Sequence, residues 1–195
     1  MTDIVVSPKH VLCLCGSLRR VSSNRAALEA ARLMASASLR LELYADMGAL
    51  PLFNPDDEIE SLPEAVLDLR ATVGRAEALL IACPEYAHGV PGAFKNLLDW
   101  LVGSLEFPGK PVLLLNTSAR ESHHAQDALL EILTTMSGRL LAADPFPVRL
   151  PGAGCRVEAV LANEERRREL QAALGCLVAG LASAMRPSGP RFLRR

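Results

Sequence analysis

The sequence predicts an α/β fold in which a parallel β-sheet of about five strands is covered by helices on both faces. Short apolar runs alternate along the chain with helix-forming segments, and most of these runs are uniformly apolar. Strands with this pattern are typical of parallel sheets, because both of their faces are buried. The chain has 195 residues, of which 50% are hydrophobic, and this favours one domain with a sizeable core.

The first part of the chain predicts two strands and two helices. Residues 10–17 are a short apolar run closed by a glycine, which predicts a buried strand. Residues 24–37 are rich in helix formers with their apolar side chains on one stripe, and residues 39–46 alternate between apolar and polar as a strand does. The turn-rich residues 48–58 predict a loop, and residues 62–76 predict a helix with a proline in its first turn.

The middle of the chain continues the alternation of strands and helices. Residues 77–84 predict a second buried strand, and residues 91–103 predict a helix that begins near a proline and ends at a glycine. Residues 110–118 predict a third buried strand. A helix is predicted over residues 122–138, followed by a weaker strand over residues 139–144.

The last part of the chain predicts one long amphipathic helix over residues 161–185 and a basic tail over residues 186–195 that we expect to be mobile. No repeat or linker divides residues 1–185, so we expect a single domain there. Right-handed crossovers leave few topologies for such a chain, and a flavodoxin-like doubly wound order fits five strands best.

The charge and cysteine content argue against several functional classes. Lys and Arg number 21 and Asp and Glu number 22, whereas a nucleic-acid-binding protein needs a concentrated basic surface. No segment predicts a membrane span, and the first ten residues lack the pattern of a secretory signal. The five cysteines form no CxxC pair, which fits reduced thiols in a cytoplasmic protein. No cluster has metal-ligand spacing, so we expect no metal site.

Ligands of doubly wound sheets collect beyond the carboxyl ends of the strands, and this rule brings three loops together. They are residues 16–24, 84–90 and 116–122. The first joins a strand to the start of a helix, where free N–H groups and the helix dipole favour an anion.

The first loop is rich in groups that bind anions. Ser17 and either Ser22 or Ser23 offer hydroxyl donors, Asn24 offers an amide, and Arg19 can grip two oxygens at once. A phosphate monoester, with a charge near −2, needs this kind of set. The alternative is that one of the residues at 22–24 only caps the helix, which leaves Ser17 and Arg19 unexplained. The loop has neither a Walker A sequence nor a GxGxxG turn, so a mononucleotide-type phosphate is indicated.

The second loop predicts a platform of backbone amides. Prolines and glycines in residues 84–92 impose an unusual path at a strand end. Those amides could form hydrogen bonds to the edge of a flat heterocycle, and the Tyr86 ring could pack beside it. Partial burial in the core would explain Tyr86 equally well. We expect Lys95 and Asp99 to form an ordinary pair on the helix surface, and Trp100 to lie in the core or at a subunit interface.

These motifs resemble those of the NADPH-dependent FMN reductase family, over residues 10–102 and in the order of elements beyond. The motifs are Gly16-Ser17-x-Arg19-x-x-Ser22-x-Asn24, Pro84-Glu85-Tyr86 and Pro91-Gly92-x-x-Lys95-Asn96-x-x-Asp99-Trp100. The resemblance implies a flavodoxin-like fold that binds FMN and takes electrons from NADPH or NADH. It also implies a homodimer or homotetramer with the flavin near the subunit boundary.

Carried over by position, the resemblance assigns a role to each motif residue. Ser17, Arg19, Ser22 and Asn24 would hold the FMN phosphate. Pro84, Glu85 and Tyr86 would line the isoalloxazine ring, largely through main-chain groups. No catalytic side chain is expected, because the flavin itself carries the chemistry.

The chain departs from the family pattern at two places. Ala87 stands where the family usually has Asn, so the ring contact at this position would depend on the backbone amide. The third loop lacks the family's glycines, although Thr117 and Ser118 could still face the ring. We expect the adjacent His123 and His124 to point apart, and a sharper hypothesis has His88 or His123 border the substrate pocket.

Three functions remain open at this point. The leading one is an NAD(P)H-dependent oxidoreductase that reduces a flavin, quinone, azo compound or metal oxyanion. The second is a flavin-bearing electron carrier or redox sensor with little turnover, which the near-neutral charge disfavours. The third is a flavin-free protein that keeps the fold for interaction, and the substitutions at Ala87 and in the third loop motivate it.

Overall fold

Strands and helices alternate along the chain in the computed structural model, which describes residues 7–118, 123–152 and 154–183. The strands are β1 Lys9–Cys15, β2 Leu39–Leu43, β3 Ala78–Ala82, β4 Pro111–Asn116, β5 Arg139–Leu140 and β6 Phe146–Pro147. The helices are α1 Ser23–Met34, α2 Pro55–Glu60, α3 Glu64–Arg75, α4 Gly92–Val102, α5 His124–Thr135, α6 Val157–Leu161 and α7 Glu164–Ser183.

The strands form one parallel sheet in the order β2-β1-β3-β4-β5, which confirms the predicted flavodoxin-like order. The predicted last strand over residues 139–144 is only partly formed. Its place at the edge is taken by β5, which pairs with the start of β4, and by β6, which pairs with the end of β4. Pro145 lies between the two short strands, and a proline has no N–H group to donate to a neighbouring strand.

Two hydrophobic cores lie on opposite faces of the sheet. Successive residues of β1 alternate between them, so that Val11 and Cys13 face α1, α6 and α7, while Leu12 and Leu14 face α3, α4 and α5. This burial on both sides explains why the central strands β1, β3 and β4 consist mostly of apolar residues. Trp100 is completely buried in the core that Leu12 and Leu14 face, and its Nε1 donates to the Pro51 carbonyl at 2.8 Å.

The segment predicted as a loop over residues 48–58 contains more helix than expected. A 3₁₀ turn spans Asp46–Ala49, and α2 follows with its first turn capped by Asn54, whose Oδ1 accepts a hydrogen bond from the Asp56 N–H at 3.2 Å. Pro55 at the first helical position and the acidic residues after it are both typical of a helix start. The turn-forming residues are therefore the cap of a short helix.

The long helix predicted over residues 161–185 is confirmed as α7, which begins three residues later than predicted, and the short helix α6 that precedes it was not predicted. Helix α6 ends at Leu161, and Asn163 caps α7 by accepting a hydrogen bond from the Arg166 N–H at 3.0 Å. An Asn side chain at this position favours a new helix start over continuation. The tail predicted over residues 186–195 lies outside the described residues. No helix in the described ranges has the length and apolar content that crossing a membrane requires.

Gly16 lets the ends of β1 and β3 approach each other closely. Its N–H donates to the Ala82 carbonyl at 2.9 Å. A Cβ atom at this position would lie 3.0 Å from the Cys83 Cα and would overlap the Cys83 sulfur. The glycine that closes the first apolar run is thus required by the packing of two neighbouring strand ends.

Candidate functional site

A cavity of about 500 Å³ lies at the carboxyl ends of β1, β3 and β4. As predicted, it brings together the loops that follow these three strands, through residues 23–24, 83–86 and 116–118. Two further elements complete its wall, namely residues 150–152 after β6 and Gln126 of α5. The sequence analysis did not single out either of these.

A larger cavity of about 640 Å³ lies at the opposite edge of the sheet, beside the amino ends of the strands, and it is open to solvent. Lys9, Glu77 and Lys110 are among its lining residues, and none of the predicted site residues is. Parallel α/β sheets bind their ligands at the carboxyl edge. The smaller cavity is therefore the candidate site.

In the first loop, one buried side chain caps α1 and two others hold this loop to neighbouring segments. The Ser22 Oγ caps α1 by accepting from the Arg25 N–H at 3.5 Å. The Ser23 hydroxyl donates to the Gly152 carbonyl and accepts from the Cys155 N–H at 3.0 Å. The Asn24 Oδ1 accepts from the Thr117 hydroxyl at 2.8 Å, which joins the first loop to the third.

Three of the four residues predicted to hold a phosphate lie outside the cavity wall, namely Ser17, Arg19 and Ser22. Ser17 is half-buried, Arg19 is exposed, and the Arg19 N–H donates to the Ser17 Oγ at 3.4 Å. Both lie in the turn that leads into α1, whose first turn contains no acidic residue. An anion at this helix start would therefore meet no repulsion from a carboxylate in that first turn.

The second loop folds into a tight turn over residues 86–89. The Tyr86 N–H donates to the Gly89 carbonyl at 3.1 Å, and the Gly89 N–H donates to the Tyr86 carbonyl at 3.0 Å. Between them Ala87 and His88 have φ values of 50° and 59°, in the left-handed region. Two successive left-handed residues are typical of a type I′ turn, which favours Asn and Gly. The family's usual Asn suits this conformation better than Ala87 does.

The Glu85 side chain ties the second loop to α5. Its Oε2 accepts from the Ala125 N–H at 3.0 Å, at the positive end of the helix. Its Oε1 lies 3.5 Å from the His88 Nδ1. The carboxylate is thus committed to holding the loop against α5.

The three histidines near the cavity are clustered. The ring centroids of His88 and His124 are 4.4 Å apart, and those of His123 and His124 are 4.2 Å apart. The prediction that His123 and His124 point apart is wrong, because their rings lie side by side, and His123 is the residue that precedes α5. Neither His88 nor His123 lines the cavity. Among the described residues, no group of three His, Cys, Asp or Glu side chains is arranged to hold a metal ion.

The third loop contributes Thr117 and Ser118 to the cavity wall. Thr117 is buried, and the Ser118 N–H donates to the Asn116 Oδ1 at 3.0 Å. Residues 119–122 of this loop lie outside the described ranges.

Cys83 lies in the cavity wall and is almost completely buried. Burial, and to a lesser degree the neighbouring Cys15 thiol, raises the pKa of Cys83 far above its usual value. The thiol is therefore neutral at physiological pH and a poor nucleophile. The cavity provides shape and hydrogen bonds, with no activated thiol for chemistry.

Gln126 is the functional candidate that the sequence analysis missed. It is 5% exposed, its Nε2 donates to the Cys83 carbonyl at 3.3 Å, and its Oε1 is buried without a hydrogen-bond partner among the described residues. The sequence did contain a signal for it. Gln126 is a polar residue that follows the buried Ala125 and precedes the buried Leu129 by three positions, so it lies on the buried side of α5. A polar residue at such a position calls for an explanation.

The sequence matches the family model described as NADPH-dependent FMN reductase over residues 10–148. It is 38% identical to the NAD(P)H-dependent FMN reductase PA1204 of Pseudomonas aeruginosa over 128 residues, covering 62% of this chain and 69% of that protein. It is 33% identical to a quinone reductase of Escherichia coli over 130 residues, with the same coverage of 62% and 69%.

The fold is also similar to that of solved flavoenzymes. FerB of Paracoccus denitrificans, a flavoenzyme NAD(P)H:(acceptor) oxidoreductase, superimposes with a TM-score of 0.75 at 27% identity. The match covers 90% of this chain and 98% of FerB. The similarity therefore extends over the whole doubly wound sheet, beyond the motifs of the first two loops.

The left-handed conformation of Ala87 predicts that Ala87→Gly stabilises the protein. Glycine removes the steric cost of positive φ, about 1–2 kcal/mol, and part of this gain is offset by its greater freedom in the unfolded chain. We expect the free energy of unfolding in urea to rise by about 0.5–1 kcal/mol.

Ala71→Gly is the matched control, since Ala71 is exposed within α3 and has no such strain. It should lower the free energy of unfolding by about 1 kcal/mol. A loss of stability in both variants would contradict the argument from the turn.

Proposed function

The chain belongs to the NADPH-dependent FMN reductase family, and from this membership we propose that its cavity holds FMN and that the flavin reduces a small quinone-type acceptor. As a member of that family the chain is an NAD(P)H-dependent flavin oxidoreductase. One observation carries the assignment of the site. The loops after β1, β3 and β4 meet around one cavity, next to a helix start that suits an anion.

The residues of the first loop would hold the FMN phosphate. Ser17, Arg19, Ser22 and Asn24 lie at or beside the amino end of α1, where the helix dipole favours a negative charge. The capping bond of Ser22 uses an oxygen lone pair, so its hydroxyl can still donate to a phosphate oxygen. The exposed Arg19 side chain can reach an anion from the solvent side.

The residues of the second and third loops would hold the isoalloxazine ring. Pro84, Glu85, Tyr86 and Ala87 would present main-chain groups, because the Glu85 carboxylate is already bound to α5. Thr117 and Ser118 would face the ring from the other side of the cavity.

When bound, FMN supplies the redox chemistry by accepting a hydride from the nicotinamide and passing electrons to the acceptor. The chain's own contribution is to orient the ring and to exclude water from one of its sides. The neutral Cys83 thiol would avoid unwanted addition to an electrophilic acceptor. The reductase names of its relatives favour turnover over an electron carrier or a flavin-free interaction protein.

We also propose that the chain forms a homo-oligomer through a face that we call the apolar edge, made of Leu52, Ile59, Val102 and Leu105. These side chains are between 61% and 93% exposed. They belong to one region, because Trp100 bonds to Pro51 and Glu58 packs against Gly103. Clustered exposed apolar side chains are typical of protein interfaces.

We further propose a cytoplasmic location, because all five cysteines are free thiols and reduced cysteines are typical of cytoplasmic proteins.

The proposed activity predicts a simple spectroscopic result. The purified protein mixed with FMN should show a bound flavin spectrum, and anaerobic NADPH or NADH should bleach it within seconds. Adding a benzoquinone should then restore the oxidised spectrum. Bound flavin that is not reduced would favour an electron carrier, and no flavin binding at all would favour an interaction protein.

Arg19→Ala should weaken FMN binding by about 10- to 100-fold, because a charged hydrogen bond to phosphate is worth about 1.5–3 kcal/mol. The dissociation constant can be measured by the quenching of FMN fluorescence. Arg20→Ala is the matched control, since Arg20 is also exposed but lies outside the motif. Equal affinities of the two variants would remove Arg19 from the phosphate site.

If the apolar edge is the interface of the homo-oligomer, charged side chains introduced there should dissociate it. Ile59→Lys combined with Leu105→Lys should convert the protein to a monomer in sedimentation velocity, because burying two unpaired ammonium groups is costly. Leu33→Lys, on the exposed side of α1, should leave the assembly unchanged. A monomeric parent protein, or a doubly substituted variant that still assembles, would overturn the proposal.

A further inference from the structure

A fourth segment lines the cavity, besides the loops that follow β1, β3 and β4. It consists of Leu150, Pro151 and Gly152, after β6. The match to the family model ends at residue 148, and the motifs of the family resemblance lie further upstream. Neither of them gives this segment a role. We call residues 150–152 the fourth wall.

The fourth wall is attached to the third loop at its start. The Val148 N–H donates to the Asn116 carbonyl at 2.8 Å, and the Leu150 N–H donates to the Thr117 carbonyl at 3.5 Å. Leu150 is also buried in the core that lies against α1. Pro151 is exposed, and a proline has no N–H group with which to continue this row of hydrogen bonds. Beyond Leu150, the segment therefore depends on another attachment.

Ser23, the first residue of α1, provides this attachment and is almost completely buried. The Gly152 carbonyl can only accept a hydrogen bond, so the Ser23 hydroxyl must donate to it. The Cys155 N–H can only donate, so the Ser23 oxygen accepts from it at 3.0 Å. One hydroxyl thus fastens the end of the fourth wall, and the chain just after it, to the first loop.

These two bonds leave Ser23 without a hydrogen for a phosphate. A hydroxyl has one hydrogen, and the ionised oxygens of a phosphate monoester act as acceptors. The hydrogen of Ser23 already points to the Gly152 carbonyl. The neighbouring Ser22 differs, because its bond to the Arg25 N–H uses only an oxygen lone pair. Of the two serines that the sequence offered as phosphate donors, Ser22 is therefore the suitable one.

We infer that the fourth wall contacts the bound flavin and that Ser23 is the positioning residue that holds this wall in place, not a ligand of the phosphate. This inference rests on the proposed function. Leu150 and Pro151 are apolar, and the Gly152 carbonyl is bound to Ser23, so the fourth wall offers apolar contact rather than a side-chain hydrogen bond. Such a surface suits the uncharged part of the cofactor and not its phosphate, because a charge loses hydration there. FMN and riboflavin should therefore depend on it equally.

Ser23→Ala should weaken the binding of FMN and of riboflavin by the same factor, about ten-fold, because the fourth wall loses its attachment to the first loop. Dissociation constants can be measured with the full chain by the quenching of flavin fluorescence. Arg19→Ala is the contrast, since the loss of a phosphate ligand should weaken the binding of FMN alone. Ser38→Ala, the same change at an exposed position before β2, should alter neither affinity. If Ser23→Ala weakens only FMN binding, Ser23 is a phosphate ligand and the inference is wrong.

Hydrogen exchange of the apoprotein tests the attachment without a flavin. In Ser23→Ala the Cys155 amide loses its acceptor, so it should exchange about ten-fold faster than in the parent protein. The amides of β3, which lies in the middle of the sheet, report on global unfolding and serve as the reference. An unchanged rate at Cys155 relative to β3 would contradict the attachment.

Pro151→Trp tests the contact with the flavin while leaving Ser23 in place, so it also applies if Ser23→Ala folds poorly. It enlarges an exposed side chain in the cavity wall and should weaken the binding of both flavins at least about ten-fold. The thermal unfolding of the apoprotein should change little, because the position is exposed. Pro108→Trp, the same change at an exposed position in the larger cavity, should leave both affinities unaltered.

The outcomes separate this inference from the proposed function. A parent protein that binds neither FMN nor riboflavin would overturn the proposed function. If the parent binds both flavins and the variants Ser23→Ala and Pro151→Trp bind them as tightly, only the role of the fourth wall is wrong. Weaker binding of both flavins by both variants is the result that we expect.

Discussion

The site depends on one constraint, which is that a parallel sheet places the ends of β1, β3 and β4 side by side. Polar groups on the three loops must then satisfy one another where the chain is buried. Asn24 bonds to Thr117, Glu85 bonds to the amino end of α5, and Ser23 bonds to the segment after β6. These hydrogen bonds hold the elements of the cavity wall together through groups of the chain itself. Walls fixed in this way limit the ordering that binding must impose.

The sequence predicted the sheet and the meeting of the three loops because those features follow from patterns within short segments. The uniform apolar character of residues 10–17 and 77–84 reflects burial on both faces. The broken edge strand was less predictable, because it depends on how residues 139–147 pair with β4. The start of α2 was marked by Asn54 and Pro55, whose turn-forming chemistry also suits a helix cap.

The candidate site was predicted unevenly for a related reason. Residue types indicated which side chains could bind an anion, but Ser22 and Ser23 turned out to hold the backbone of their own and a neighbouring loop. Gln126 was missed because its significance comes from tertiary contacts with Cys83 and from a missing donor, which no local pattern encodes. The clustering of His88 with His124 likewise depends on two loops that are distant in sequence.

The two short strands β5 and β6, which pair with β4 at one side of the sheet, affect how this side can contact another protein chain. Beyond β4, each edge strand offers only two residues, and Pro145 interrupts the row of backbone donors between them. An incoming strand would find no continuous ladder to extend, so fibril-like growth from this side is blocked by covalent geometry. A contact at this side of the sheet would therefore depend on the shape of side chains rather than on backbone pairing.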